Sequence, residues 1–469
     1  MMSDLLNNET PQLEQKVISF FKAHFDELTK DDSLKIKELR LKAIEQFERS
    51  GFPNAKMETW RNSMIISAIK RDFSLEINPV HEAAKKNFNC EIHDFDTETV
   101  TLENASFADG DAVRRLENGI IVAGTKAAMK AYPELFEKHF GTCKLMESDG
   151  FIDVNTALWQ DGFFIYVPKN VKAEKPIQVI KLIESDKNPF LQTRNLIILE
   201  EGADLQIVDC DDSIDQESSL INSFTEIFLG ENSHLDKYKL QNINDNAILL
   251  NSNVVRQLSN SVLQSNTLSF NGGIIRNNIQ VALNGEGADA KVLGLYLMDK
   301  KQHVDNQLKV SHDVSHCNSF GQFKGILDDE ATAVFNGHVY VQPNAQKTTA
   351  YQNNSNIILT PTAKVNTMPF LEIYADDVKC SHGTSTGQLD QEAMFYLRQR
   401  GISEANAKML LMYAFAAEIS NHIAIDQLRE RIDDMIKKRL RGELSSCDNC
   451  VLRCSKPKEY NFDIDYSKI

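Results

Sequence analysis

In the run Asp376-Asp377-Val378-Lys379-Cys380-Ser381-His382-Gly383, a thiol and an imidazole stand two residues apart. If that run ends a strand, Cys380 and His382 share a face, because side chains alternate across a strand. Thiolate and imidazole both ligate iron in iron-sulfur centres, so the pair is a candidate for holding an iron or sulfide species. A buried cysteine and a hydrogen-bonded histidine at a domain junction fit the same pattern.

A second constellation is the tail spacing Cys447-x-x-Cys450-x-x-x-Cys454, three thiols that suit zinc or part of a cluster but leave a four-coordinate site one ligand short. A reduced tail with no metal fits it as well. His303, His312, His316 and His338, with Cys317, fall in one strand-rich stretch without a dedicated ligand motif, and structural or solvent-facing roles are expected of them. No G-x-x-x-x-G-K-[ST] loop or G-x-G-x-x-G turn occurs, which argues against ATP or dinucleotide binding by this chain alone. Gly272-Gly273 and Gly285-Glu286-Gly287 lack a following helix and are poor phosphate cradles.

The elements that must position these residues change character along the chain. Val17, Phe20, Phe21, Phe25 and Leu28 follow helical spacing, and Leu34, Leu39, Ile44 and Phe47 continue a second helix that Gly51-Phe52-Pro53 stops. Residues 1–150 read as a helical and mixed region, with a helix predicted over Ala127 to Phe140. From 151 to 387 short strand-like runs alternate with Asn, Asp and Gly, among them Gly162 to Val167, Ile177 to Ile183, Leu196 to Leu199 and Ile227 to Leu229. Similar turns place Ala203, Ser233, Ala288, Ala331 and Ala363 just before a strand, as stacked coils turning at one corner require. Their steps of 30, 55, 43 and 32 residues predict a degenerate β-helix with insertions, with a β-sandwich as the alternative. Residues 388–442 are helical again: Asp390 and Ser403 serve as N-caps, Gly401 as a stop, and Ile425, Leu428, Ile432, Met435 and Ile436 as an amphipathic stripe. Residues 443–469 form the cysteine-containing tail.

With 469 residues, 42% of them hydrophobic, the chain can bury a large core, and no run is long and apolar enough to span a membrane. A formal charge of −16 disfavours nucleic acid and anionic membranes as partners and leaves other proteins. Eight scattered cysteines and an N-terminus without a basic or apolar leader point to reduced thiols and a cytoplasmic location.

The segment from Ala375 to Thr384, followed by Phe395-Tyr396-Leu397-Arg398-Gln399-Arg400-Gly401-Ile402, resembles the SufB/SufD family of iron-sulfur cluster assembly proteins. So do Ala333-Val334-Phe335-Asn336-Gly337, Ala345-Gln346-Lys347-Thr348, Pro369-Phe370-Leu371-Glu372-Ile373, Asp161 to Pro168, Gly51-Phe52-Pro53 and Glu58-Thr59-Trp60-Arg61. The similarity runs from about Gly51 to Leu440, and the three tail cysteines lie beyond it. Gly383 stands where SufB-type chains usually carry an acid, and no SufB-type cysteine motif lies near Asn353 to Thr360, so the SufD branch is the closer match.

The resemblance implies a mainly β fold, a right-handed parallel β-helix between N- and C-terminal helical regions. It implies a non-catalytic scaffold of the SUF system that pairs with a SufB-like subunit through the β-helix edge and builds a transient iron-sulfur cluster at their interface. The residues implied there are His382 and Cys380. It further implies docking of a SufC-like ATPase on the C-terminal helices, for which Phe395, Tyr396, Leu397, Arg400, Met409 and Tyr413 are the candidates. A homodimer is an option for the isolated chain. Flavin belongs to the assembled complex of that family, and no motif for it is present. Two rival readings are a stand-alone metal or cluster carrier using the tail cysteines and a β-helix carbohydrate-active enzyme. The enzyme needs carboxylates paired across a groove, whereas Asp376 and Asp377 are adjacent and point to opposite faces.

Overall fold

The computed structural model describes residues 12–77, 95–146, 148–184 and 187–441. Its centre is a parallel β-solenoid. From Phe163–Val167 to Lys379–Gly387, sixteen strands alternate between two ten-stranded sheets, two strands per turn, for about eight turns. Every neighbouring pair among these strands is parallel, which excludes the β-sandwich. Antiparallel strands at Glu98–Glu103 and Ser106–Phe107 extend one sheet, and those at Val113–Arg115 and Ile121–Gly124 extend the other.

The coil is more regular than the turn residues alone indicated. Asn170, Gly202, Asn232, Asn260, Gly287, His316 and Lys347 all have φ between 50° and 80°, and they follow one another at intervals of 27 to 32 residues. Glycine and asparagine tolerate this left-handed conformation best, so they recur at the corner. Asn260 also donates to the Asn232 side chain, 3.3 Å away, one coil below. Each left-handed residue from Gly202 on is followed by a small buried one: Ala203, Ser233, Ser261, Ala288, Cys317 and Thr348. The step of 55 residues therefore spans two coils through Ser261. The step of 43 passes from this corner to the opposite one, where Ala331 and Ala363 precede strands of the other sheet. The uneven spacing comes from an unrecognised serine and two mixed corners, and insertions are not needed to explain it.

The solenoid interior is mainly aliphatic, with Val179, Ile207, Leu235, Leu263, Val292 and Leu308 among its members. Both outer faces are covered. Helices Gln12–Leu28, Leu34–Ser50 and Gly150–Leu158 bury Val17, Phe21, Phe47 and Phe151 together with Leu220, Ile248 and Leu250 of one sheet. Helices Glu404–Ser420 and Asp426–Leu440 bury Met412, Ile419, Ile432 and Ile436 against Leu240, Leu268, Leu295 and Ile326 of the other.

The caps follow the chemistry of their residues. Asp390 accepts from the Glu392 and Ala393 amides, Ser403 accepts from Asn406, and Gly401 turns the chain at φ +83°. The single helix predicted over Ala127 to Phe140 is instead two, Thr125–Ala131 and Pro133–His139. Proline lacks the amide proton the helix needs and pushes the preceding residue out of the helical region, and Tyr132 sits at φ −134°, ψ 57°. Among the described residues no helix is long and apolar enough to cross a membrane.

Candidate functional site at the bare end of the solenoid

The last coil consists of strands Lys364–Ile373 and Lys379–Gly387, which terminate the two sheets. Among the described residues neither has a further strand beside it, so each presents a row of unpaired backbone donors and acceptors over nine or ten residues. Long uncovered edges of this kind are pairing surfaces.

Cys380 and His382 lie on the strand Lys379–Gly387 and share a face. The parallel register sets Cys380 beside Ala350, His382 beside Gln352 and Thr384 beside Asn354. Ala350, Gln352 and Asn354 are buried inside the solenoid, so the pair continues the inward column at the point where the column ends. Cys380 is half-buried against Val339, Val341, Ala345, Ala350 and Ala375, while His382, one step further along, is exposed. The sequence expectation of one shared face holds, and the pair is accessible because no further coil follows among the described residues.

Burial raises the Cys380 thiol above its ordinary range, and a backbone hydrogen bond from Ala350 opposes that only in part. The thiol is therefore protonated near neutral pH, and it becomes a ligand only by releasing its proton to the binding event. Asp377, next to this strand, is engaged in the corner. It pairs with Lys347, accepts the Lys347 amide on its backbone oxygen at 2.7 Å, and donates its own amide to Gln346 Oε1 at 2.9 Å.

The same end carries exposed apolar side chains. Tyr351, Met368, Phe370, Ile373 and Tyr374 all lie on the last two coils, with Phe370 52% and Tyr374 57% exposed. Phe370 and Tyr374 rest on the rings of His338 and Tyr340, at 4.9 and 5.6 Å between centroids.

On the helix Gln391–Gln399, Phe395 and Tyr396 stand out from the surface at 65% and 58% exposure, and the Arg400 guanidinium lies over the Tyr396 ring at 5.2 Å. Leu397 is half-buried. The remaining two residues of that predicted set sit elsewhere. Met409 is buried and its sulfur accepts from Arg441 Nε at 3.3 Å, and Tyr413 is half-buried beneath the Lys437 ammonium.

Cys447, Cys450 and Cys454 lie outside the described residues. Of the four histidines of the strand-rich stretch, His303 and His312 stand at the two ends of one strand, His316 in the corner that follows it, and His338 on the strand Thr332–Val341. His303 accepts from the Met64 amide on Nε2 and donates from Nδ1 to Thr332 Oγ1, and burial lowers its pKa to about 4. His312 is buried beside Ser319 Oγ at 2.8 Å, His316 is a corner residue, and His338 pairs with Glu372 at 3.1 Å. Cys317 fills a corner with its thiol 3.2 Å from the Gly285 carbonyl. Among the described residues no three His, Cys, Asp or Glu side chains converge as a metal site.

Sequence reading missed Gln352 and the aromatic patch. Gln352 precedes His382 by 30 residues, one coil, so the corner period of Gly and Asn would have placed it beneath the histidine.

Comparison with known proteins agrees with this architecture. Residues 182–415 match the family described as SUF system FeS cluster assembly, SufBD core domain, and residues 11–179 match the SufBD protein N-terminal region. The iron-sulfur cluster assembly protein SufD of Escherichia coli (strain K12) is 28% identical over 407 residues, covering 85% of this chain and 92% of that one. A SufBD family protein of Synechocystis is 31% identical over 298 residues, 62% of this chain and 66% of its own length. One from Staphylococcus saprophyticus is 27% identical over 329 residues, 70% of each. Two-sheet solenoid, flanking helices and both sequence matches place the chain in the SufB/SufD family of iron-sulfur cluster assembly proteins, as a homologue of SufD.

Proposed function

We propose that this chain is a non-catalytic, cytoplasmic scaffold subunit whose bare last coil pairs with a SufB-like subunit, so that a nascent iron-sulfur cluster is built between them. The observation that carries this reading is the coincidence of three features at one end of the solenoid: two unpaired edge strands, the Cys380 and His382 pair, and the apolar side chains of Phe370 and Tyr374. Iron and sulfide are the cargo. His382 offers an imidazole nitrogen, Cys380 offers a thiolate once its proton leaves, and the partner supplies the rest of the ligand set.

A SufC-like ATPase docks, in this reading, on the C-terminal helical region, where Phe395 and Tyr396 give an aromatic anchor. Hydrolysis belongs to that partner, since this sequence has no phosphate-binding loop. Nucleotide-driven movement there biases a two-state interface at the solenoid end.

The test is co-purification with SufB-like and SufC-like partners, wild type against His382→Ala, followed by anaerobic iron and sulfide reconstitution. An assembled mutant complex that holds no cluster supports the reading. A mutant that builds clusters as wild type does removes His382 from the site, and failure of wild type to form any complex overturns the scaffold assignment.

A further inference from the structure

Three amides of the strand Thr349–Ile358 face the solenoid interior: Gln352, Asn354 and Asn356. Two are satisfied. Asn354 Nδ2 donates to the Tyr296 hydroxyl at 3.0 Å and to the Phe323 carbonyl at 3.2 Å. Asn356 Nδ2 donates to Asn354 Oδ1 at 2.8 Å and its oxygen accepts from Tyr296 at 2.5 Å. Gln352 is 4% exposed, yet both its amide nitrogen and its amide oxygen lack a partner. Among the described residues only Asn266 shares that condition, and Asn266 faces outward beneath the C-terminal helices.

The fold makes room for this amide. Gly321 lies beside Gln352 in the ladder, and Gly337 faces it across the interior, where a Cβ would land on the amide nitrogen. On the opposite side Gln352 is the register partner of His382, about 4.8 Å away between strands. A buried amide with neither group paired is costly unless something docks on it, and the next strand beyond this one in the ladder is the strand that carries His382.

We propose that Gln352 is a positioning residue of the cluster-assembly site, donating from Nε2 to a sulfide of the species that His382 holds. This rests on the reading of His382 as an iron ligand. Sulfide in iron-sulfur clusters accepts hydrogen bonds, and such bonds stabilise the more negative cluster states. Gly337 serves the same site by admitting the amide. This donor is invisible from the Cys380 and His382 pair, because it lies on the coil below.

The experiment compares wild type, Gln352→Met, Gln352→Glu and His382→Ala, each as the full chain and as the co-purified complex, with three readouts: thermal melting of the chain, iron and acid-labile sulfide per complex, and the visible absorption of the cluster. Methionine matches the volume without donors, and glutamate keeps the acceptors while losing them. Gln352→Met is expected to melt at or above wild type and Gln352→Glu below it, because a buried carboxyl without a partner is costly, and both are expected to retain about 10-fold less iron and sulfide, the usual cost of losing a supporting hydrogen bond at a metal site.

Normal loading of Gln352→Met while His382→Ala fails overturns the inference and leaves the parent reading intact. Normal loading of His382→Ala sinks the parent reading and this one with it. A Gln352→Met chain that melts far below wild type also overturns it, since the amide would then be supporting the core. Gly337→Ala, on a different strand, should reproduce the loss by displacing the amide, and unchanged loading there counts against the assignment.

Discussion

Arg439 clasps Asp299 in a two-pronged ion pair, Nη1 to Oδ2 at 2.6 Å and Nη2 to Oδ1 at 2.7 Å, and so ties the last described helix to the corner of a solenoid coil. Nη2 also reaches Gln302 Oε1 at 2.8 Å. Arginine's planar fork is suited to this and lysine's point charge is not. Arg439→Ala is expected to destabilise the chain by about 2–4 kcal/mol, and Arg439→Lys to recover less than half of that, in urea unfolding. The helix Asp426–Leu440 should lose amide protection from hydrogen exchange first.

Stability should fall on acidification through two buried histidines. Burial lowers both His303 and His312 to about 4, with Asp305 partly opposing and Arg276 reinforcing the effect at His303. The unfolded chain takes up these protons near the ordinary histidine value of about 6.5 while the folded chain does not. Their contribution is therefore full above about pH 6.5 and is lost as the pH falls towards 4, on the order of 2–3 kcal/mol for each histidine. His312→Gln, which keeps a partner for Ser319, is expected to flatten the unfolding free energy across that window. An unchanged slope would contradict the assignment.

The solenoid interior holds a buried ionic cluster whose members are not equivalent. Asp209 lies 2.9 Å from Lys181, 2.9 Å from Lys239 and 3.3 Å from Lys237, while Asp211 lies 2.6 Å from Lys239. Burial pushes the Asp209 carboxyl up, but Lys181, Lys239 and Lys237 together hold it well below its usual range. Burial lowers both Lys181 and Lys237, the latter to about 8. Asp209→Ala strands the lysines and is expected to cost about 3–5 kcal/mol, whereas Lys237→Met should stay within about 1 kcal/mol of wild type or exceed it. Parallel denaturation curves decide between these magnitudes.

Phe370 and Tyr374 are predicted to anchor the partner subunit. Replacing both with aspartate removes exposed apolar area while leaving the core untouched, so the melting temperature should hold. Capture of the SufB-like partner should weaken by at least about 2 kcal/mol, the range of aromatic interface anchors. Equal capture by mutant and wild type would move the interface away from this end.

Much of the molecule was legible from residue types alone because the signals are local. Asp390, Ser403 and Gly401 act within one turn of themselves, and the alternation that sets Cys380 and His382 on one face is a property of any strand. The strand-like runs and the motif around His382 were enough to name a β-helix and a family. What remained hidden depends on stacking. Ser261 was overlooked as a corner because a serine in that position looks like any loop serine until the coils above and below it are known. Met409 and Tyr413 share a helix with exposed residues, and only tertiary packing decides which residues of that helix are covered. Gln352 is 30 residues from His382 in the chain and adjacent to it in space. The sequence by itself determined the family, the coil and the chemical pair; the tertiary structure decided that the pair lies on the last described coil above an unsatisfied amide, because inter-coil register couples residues that no local pattern connects.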